Sequence, residues 1–115
     1  MQRGGIFLVS LDPAKSGEAN KQRPAVVVSN DGANISAERS GNGIVTVVPV
    51  TSNITRVYPF QVLLPAELTG LAVDSKAQAE QVRSISIHRL GAAIGEVPHT
   101  LMEELDEALR LHLAL

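Results

Sequence analysis

The chain has 115 residues, 44% of them hydrophobic, which is enough for one domain with its own apolar core, and we expect a single domain over residues 1–115. It contains no cysteine, which excludes disulfides and thiolate chemistry and indicates a reducing, cytoplasmic location. The net charge of −2 shows none of the overall positive charge that is typical of a strongly basic nucleic-acid-binding domain. No signal peptide is evident, and no apolar run approaches the about 20 residues that span a membrane.

Segments rich in Val, Ile and aromatic residues predict five main strands, at 6–11, 25–29, 44–51, 58–64 and 79–87. Strands this closely spaced leave no room for crossover helices, so the sheet should be antiparallel. Loops are expected at 12–22, 31–43, 52–57 and 65–76, the first as a mobile flap.

The last segment changes to helical periodicity. Leu101, Leu105, Ala108 and Leu109 fall on one face, which predicts an amphipathic helix over residues 101–115, and Thr100 with Glu103 fits a capping box. The sequence therefore predicts a mainly β fold, a small barrel of about five antiparallel strands with a C-terminal helix.

The familiar enzyme motifs are absent. His88, His99 and His112 are scattered along the chain without metal-ligand spacing, so we expect neither a metal site nor a cofactor. The sequence also lacks a nucleophile elbow and a Gly-rich phosphate loop.

Arg23 lies where the first loop meets an apolar strand. Pro24 restricts this junction and biases Arg23 towards an extended conformation. The loop that precedes it carries Gly17, Glu18 and Lys21, so the same segment offers both an acidic and a basic side chain. An equally simple interpretation is a structural pair between a loop arginine and a loop glutamate.

Two further polar clusters lie at strand ends, where functional residues often sit on a rigid scaffold. Thr51, Ser52 and Asn53 close the third strand, although such residues also build ordinary turns. The segment 76–84 can present donors and acceptors to a base or phosphate, or can be a solvated edge strand; its polar side chains include Gln78, Glu80, Gln81 and Arg83.

Together these segments indicate a cleft lined with arginine, hydroxyl and amide donors. Such a set suits negative charge that develops on phosphorus, and it also suits a plain anion-binding surface. The residues alone leave both possibilities open.

Several fragments resemble the MazF/PemK toxins, the mRNA interferases of type II toxin–antitoxin systems, in order and spacing across essentially the whole chain. They include Arg3-Gly4, Leu11-Asp12-Pro13, Gly17-Glu18, the strand entry Arg23–Ser29, the strand exit Val48–Ser52, Tyr58–Val62 and Gln81–Ile85. The similarity is closest to mycobacterial members. One departure is Gly5, which stands where the family usually has an acidic residue.

This resemblance implies a barrel similar to that of the gyrase poison CcdB, a homodimer, and metal-independent, sequence-specific cleavage of single-stranded RNA. The products would carry 2′,3′-cyclic phosphate and 5′-hydroxyl ends. Carried over by position, Arg23 and Thr51 resemble the catalytic residues. The expected substrate-binding residues are Gly17, Glu18, Lys21, Ser52, Asn53, Gln81 and Arg83.

The expected partners are single-stranded RNA, whether messenger, ribosomal or transfer RNA, and an acidic MazE-like antitoxin that folds on binding. Only Phe7, Tyr58 and Phe60 are aromatic, so stacking should not dominate RNA affinity. Two alternatives use the same fold, namely a CcdB-like gyrase poison and a catalytically silent module that binds RNA or antitoxin.

Overall fold

A computed structural model of the protein describes residues 1–11 and 22–115. The predicted flap residues Gly17, Glu18 and Lys21 lie outside the described residues. The strands are β1 (Gly5–Ser10), β2 (Gln22–Val27), β3 (Ile44–Thr51), β4 (Gln61–Leu64), β5 (Ser75–Gln78), β6 (Arg83–Ser86) and β7 (Leu90–Glu96). The helices are α1 (Asp31–Ser40), α2 (Ala66–Thr69) and α3 (His99–Leu113), and 3₁₀ turns occupy Ala79–Gln81 and Ile87–Arg89.

The strands form one antiparallel sheet in the order β4-β5-β3-β2-β1-β7, and β6 pairs separately with β3. The mainly β class with a C-terminal helix is confirmed. The described part of the chain has seven strands, however, where five main strands were predicted.

Strand β3 organises the sheet because it shares one of its edges between two partners. Its first half pairs with β6, from Ile44 opposite Ser86 to Val47 opposite Arg83, and its end pairs with β5, where Thr51 lies opposite Lys76. The 3₁₀ turn Ala79–Gln81 carries the chain from β5 to β6. The predicted continuous strand 79–87 was therefore wrong, since its first part is this turn and the strand proper is β6.

Helix α1 occupies a segment that was predicted as a loop. Asn30 caps its start by accepting a hydrogen bond from the Ala33 amide at 2.8 Å, and Gly41 ends it in the left-handed region at a φ of 66°. The buried Asn34 side chain donates to the Ser29 carbonyl at 2.9 Å. The prediction failed because Asn, Asp and Gly were taken as turn formers, whereas here they begin and end a helix.

Strand β7 was also missed. It pairs with β1 along residues Gly5 to Val9, although its own sequence contains two glycines and two alanines and thus has weak β propensity. A Cβ at Gly95 would overlap the carbonyl oxygen of Thr69, so the chain after β4 lies directly against β7. The two ends of the sheet therefore approach each other, as in a barrel.

Helix α3 covers one of two apolar clusters. Met102, Leu105 and Ala108 are buried and pack with residues of β1, β2, β3, β4 and β5. The predicted capping box is wrong, because the helix begins at His99 after Pro98 and no side chain caps it. Among the described residues, no helix is long and apolar enough to cross a membrane.

Candidate active site

A cleft of about 360 Å³ lies where β2, β3 and the β5–β6 break come together. It brings two of the predicted polar segments together with the arginine at the strand entry. The lining residues are Leu11, Arg23, Pro49, Val50, Thr51, Gln78, Gln81 and Arg83.

Arg23 is an exposed residue near the start of β2, where its backbone pairs with Val9 of β1. On its other side β2 pairs with β3, and Ala25 lies opposite Pro49. Because partners in an antiparallel pair run in opposite directions, continuing this register by two residues brings Arg23 opposite Thr51. Both side chains line the cleft.

Thr51 is the last residue of β3 and is half-buried. Its Oγ1 accepts a hydrogen bond from the Asn53 amide at 3.2 Å, which fixes the hydroxyl at the end of the strand. A rigid strand end with a positioned hydroxyl can orient a phosphoryl group by hydrogen bonding.

Ser52 and Asn53 follow as exposed residues and do not line the cleft. The Asn53 Oδ1 accepts from the Thr55 amide at 3.3 Å, so this side chain helps to build the turn after β3. The geometry thus supports the turn role that the sequence left open, and substrate binding by Ser52 and Asn53 stays a prediction.

The opposite wall comes from the break between β5 and β6. Gln78 ends β5, Gln81 ends the 3₁₀ turn and Arg83 begins β6, and all three line the cleft. Between them Glu80 turns inward, and its Oε2 accepts a hydrogen bond from Gln61 Nε2 at 2.7 Å. This bond ties the turn to β4, so the two glutamines of the wall are held at fixed places.

The apolar part of the lining was not predicted as functional. Leu11, Pro49 and Val50 carry no polar side chain, and only the fold reveals that they line the same cleft as Arg23 and Thr51. Gln78 did lie in the polar segment 76–84, but nothing in the sequence distinguished it from its neighbours.

Among the described residues, the cleft lining carries two cations and no acidic side chain. These cations are Arg23 and Arg83, and both are exposed. Two guanidinium groups beside a hydroxyl and two amides make a site for an anion with several oxygens, and a phosphodiester fits this description.

The histidines lie elsewhere, each on the surface. His99 contacts Glu103 at 2.9 Å across one turn of α3, and His88 and His112 are exposed. Within residues 1–11 and 22–115, no group of three His, Asp or Glu side chains could hold a metal ion.

Comparisons with known proteins identify the family. The family model described as PemK-like, MazF-like toxin of type II toxin–antitoxin systems matches residues 2–113. Endoribonuclease MazF9 of Mycobacterium tuberculosis is 64% identical over 115 residues, which cover 100% of this chain and 98% of the relative. Endoribonuclease EndoA of Bacillus subtilis is 32% identical, with 100% and 96% covered.

The fold has solved counterparts as well. A structure of MazE–MazF from Deinococcus radiodurans superposes with a TM-score of 0.76 at 27% identity, and the match covers 100% of this chain and 96% of that one. Sequence and fold thus agree over the full length described. The chain belongs to the PemK-like, MazF-like toxin family of type II toxin–antitoxin systems.

Proposed function

We propose that this chain cleaves single-stranded RNA in the cleft between Arg23, Thr51 and Arg83, at short sequence motifs and without a metal ion. The chain is a toxin of a type II toxin–antitoxin system and an endoribonuclease. The observation that supports this particular site is the convergence of the two predicted catalytic side chains in one cationic cleft.

The reaction we propose is attack of an RNA 2′-hydroxyl on its own phosphorus. The 2′-oxygen loses its proton to a solvent water and bonds to phosphorus, and the bond to the 5′-oxygen breaks as that oxygen gains a proton, so no net proton is consumed. The products are a 2′,3′-cyclic phosphate and a 5′-hydroxyl. Negative charge builds up on the phosphoryl oxygens, so donors aimed at them lower the barrier.

Arg23 suits the task of charge stabilisation. Its planar fork donates to two phosphoryl oxygens at once. A guanidinium is a poor general base because it gives up its own proton only with great difficulty. We therefore propose that Arg23 holds the phosphoryl oxygens and also donates a hydrogen bond to the leaving 5′-oxygen.

Thr51 lies opposite Arg23 on the neighbouring strand β3 and complements the arginine. Its hydroxyl, oriented by the Asn53 amide, donates to a phosphoryl oxygen from the β3 side. Arg83 adds a second cation, and Gln81 offers amide groups to a base edge that is free to pair only in single-stranded RNA.

The homodimer and the antitoxin belong to the same proposal. Exposed apolar side chains on β4 and α3, including Leu63 and Leu111, favour association of two copies, which would extend the groove. An acidic, MazE-like antitoxin chain complements the cationic cleft, and a reducing cytoplasm suits a chain without cysteine.

The test is incubation of the purified protein with a long single-stranded RNA in EDTA, beside Arg23→Ala and Arg23→Lys. We expect specific cuts from the unaltered protein and a loss of about 10²–10³-fold in rate for Arg23→Ala, the magnitude typical of a lost oxyanion donor. Arg23→Lys keeps the charge but not the fork, so most activity should be lost.

The outcome also separates the alternatives. Absence of cuts together with inhibition of gyrase would favour a CcdB-like poison. RNA or antitoxin binding without cuts would favour a silent binding module. Near-full activity of Arg23→Lys would refute the bidentate role of Arg23.

A further inference from the structure

Two cations lie on an aromatic stack beside the cleft. The rings of Tyr58 and Phe60 are parallel within 3°, with centroids 5.3 Å apart. The Arg56 guanidinium carbon lies 5.7 Å and the Lys76 ammonium 6.0 Å from the Tyr58 centroid. Arg56 Nη1 also donates to the Tyr58 hydroxyl at 3.2 Å, so the arginine is held in place by its neighbour.

Lys76 is unusual because it is only 7% exposed. A buried ammonium is costly unless it is paired or well hydrogen-bonded, and it has three donors to satisfy. Its contact is with the carbonyl oxygen of Arg56 at 2.6 Å. None of the ion pairs between described residues includes Lys76 or Arg56. Lys76 and Arg56 thus lie close together, and neither forms an ion pair with a described acidic side chain.

The position of Lys76 connects these cations to the cleft. Lys76 lies directly opposite Thr51 in the pairing of β5 with β3, and partners of this kind project from the same face of the sheet. Two residues further along β5, Gln78 is on the same face and lines the cleft. Lys76 therefore follows Thr51 on the sheet face that carries the cleft, and its bond to the Arg56 carbonyl brings Arg56 to the same side, although neither residue lines the cleft itself.

We propose that Lys76 and Arg56 form a second phosphate site, which binds the RNA backbone phosphate next to the scissile one. This inference rests on the proposed function, since it assigns the scissile phosphate to Arg23 and Thr51. A single strand carries a phosphate at each nucleotide, so a chain threaded past Thr51 brings its next phosphate to these cations. Lys76 contributes a point charge and Arg56 a bidentate fork.

The aromatic rings support the cations rather than a nucleobase. Phe60 stacks on Tyr58, and both cations lie within cation–π range of the Tyr58 ring. The site therefore contributes affinity and register along the strand without reading base identity.

The first test measures KM for a short single-stranded RNA over a series of salt concentrations with Lys76→Met and Arg56→Gln. Each variant should raise KM about tenfold, in line with the loss of a charge-assisted hydrogen bond, and leave kcat within about twofold. The slope of log KM against log salt should fall by about 0.7 per variant, the value for one contact to a single strand. Arg39→Gln, an exposed arginine on α1, is the matched control and should change neither quantity.

The second test replaces one flanking phosphate at a time with an uncharged methylphosphonate, on the 5′ or the 3′ side of the scissile bond. At the contacted position the replacement should weaken binding to the unaltered protein but have little further effect on Lys76→Met. If the methylphosphonate weakens binding to Lys76→Met as much as it weakens binding to the unaltered protein, at both flanking positions, the proposal is overturned.

Binding of a 2′-deoxy oligonucleotide, which has no attacking hydroxyl, measures the same salt slope without cleavage. If the protein binds this oligonucleotide with the expected salt slope but does not cleave RNA, the proposed catalysis fails and the phosphate site stands. Urea unfolding of Lys76→Met checks its fold, and Arg56→Gln gives an independent result because Arg56 is exposed. Unchanged RNA binding with weakened binding of an acidic peptide would instead assign the cations to a protein partner and refute the phosphate site.

Discussion

Gln61 donates from Nε2 to Glu80 Oε2 at 2.7 Å, and this bond fastens β4 to the turn that carries Gln81. The Gln61 Oε1 also accepts from the Tyr58 amide at 3.2 Å, so one buried side chain holds both the aromatic segment and the cleft wall. The other carboxylate oxygen of Glu80 is buried without a described partner.

Gln61→Leu should therefore destabilise the protein by about 2 kcal/mol, because it leaves the Glu80 carboxylate and the Tyr58 amide without their partner. Urea unfolding measures this loss. Gln2→Leu, at an exposed position, is the control and should stay within about 0.5 kcal/mol of the unaltered protein. Equal stability of the two variants would contradict a structural role for the bond.

Thr51→Val and Thr51→Ser test the hydroxyl in the cleft. Thr51→Val keeps the shape but removes the hydroxyl, so kcat should fall by about tenfold or more at nearly unchanged KM. Thr51→Ser should retain most activity because serine can accept from the Asn53 amide in the same way. Single-turnover cleavage of a short RNA measures the rate for each variant. An equal loss of rate in Thr51→Val and Thr51→Ser would argue against a role for the hydroxyl.

Arg3 joins three parts of the fold far from the cleft. Its Nε donates to the Val28 carbonyl at 2.8 Å, its Nη2 contacts Asp106 Oδ1 at 2.6 Å, and its amide donates to Asp31 at 2.7 Å. Arg3→Met should lower the free energy of unfolding by about 1–2 kcal/mol, since a carbonyl and a carboxylate lose their donor. Thermal unfolding checks this value, and kcat of the remaining folded protein should be unchanged.

Gly95→Ala tests the contact between the two ends of the sheet. The added Cβ would overlap the Thr69 carbonyl oxygen, so backbone must move and the protein should lose about 2 kcal/mol or more. Gly32→Ala in α1 is the control, where the nearest atom is a side-chain oxygen of Asn30 at 3.2 Å and alanine favours the helix. A Gly95→Ala variant as stable as Gly32→Ala would mean that the ends do not meet.

Much of the sheet could be predicted from apolar patterns. Strand β3 was predicted with its observed bounds because Ile44–Thr51 is a long run of β-branched residues between turn formers. Strand β7 could not be predicted in this way, since its glycines and alanines form a strand only because β1 offers an edge and Gly95 permits close approach. Tertiary pairing there outweighs local propensity.

The candidate site shows the same division. Arg23 and Thr51 stand out as polar residues at the ends of apolar strands, but only the family resemblance named them as candidate catalytic residues. Leu11 could not be assigned to the site from local pattern, and Lys76 lay in the polar segment 76–84 without a feature to distinguish it, since their relation to Arg23 and Thr51 depends on how distant strands align. Sequence patterns reveal polar strand ends, whereas sheet register decides which of them meet.

The two edges of β3 position different parts of the cleft. The pairing of β2 with β3 positions Arg23 and Thr51. The opposite edge of β3 pairs with β5 and β6, and these strands with the three-residue turn between them carry Gln78, Gln81 and Arg83. Under the proposed function, a change of sequence or length in Ala79–Gln81 alters the wall that carries Gln81 and leaves the alignment of Arg23 with Thr51 in place. On that proposal, variation in this one short turn changes which RNA the toxin cuts without altering the two residues proposed to react.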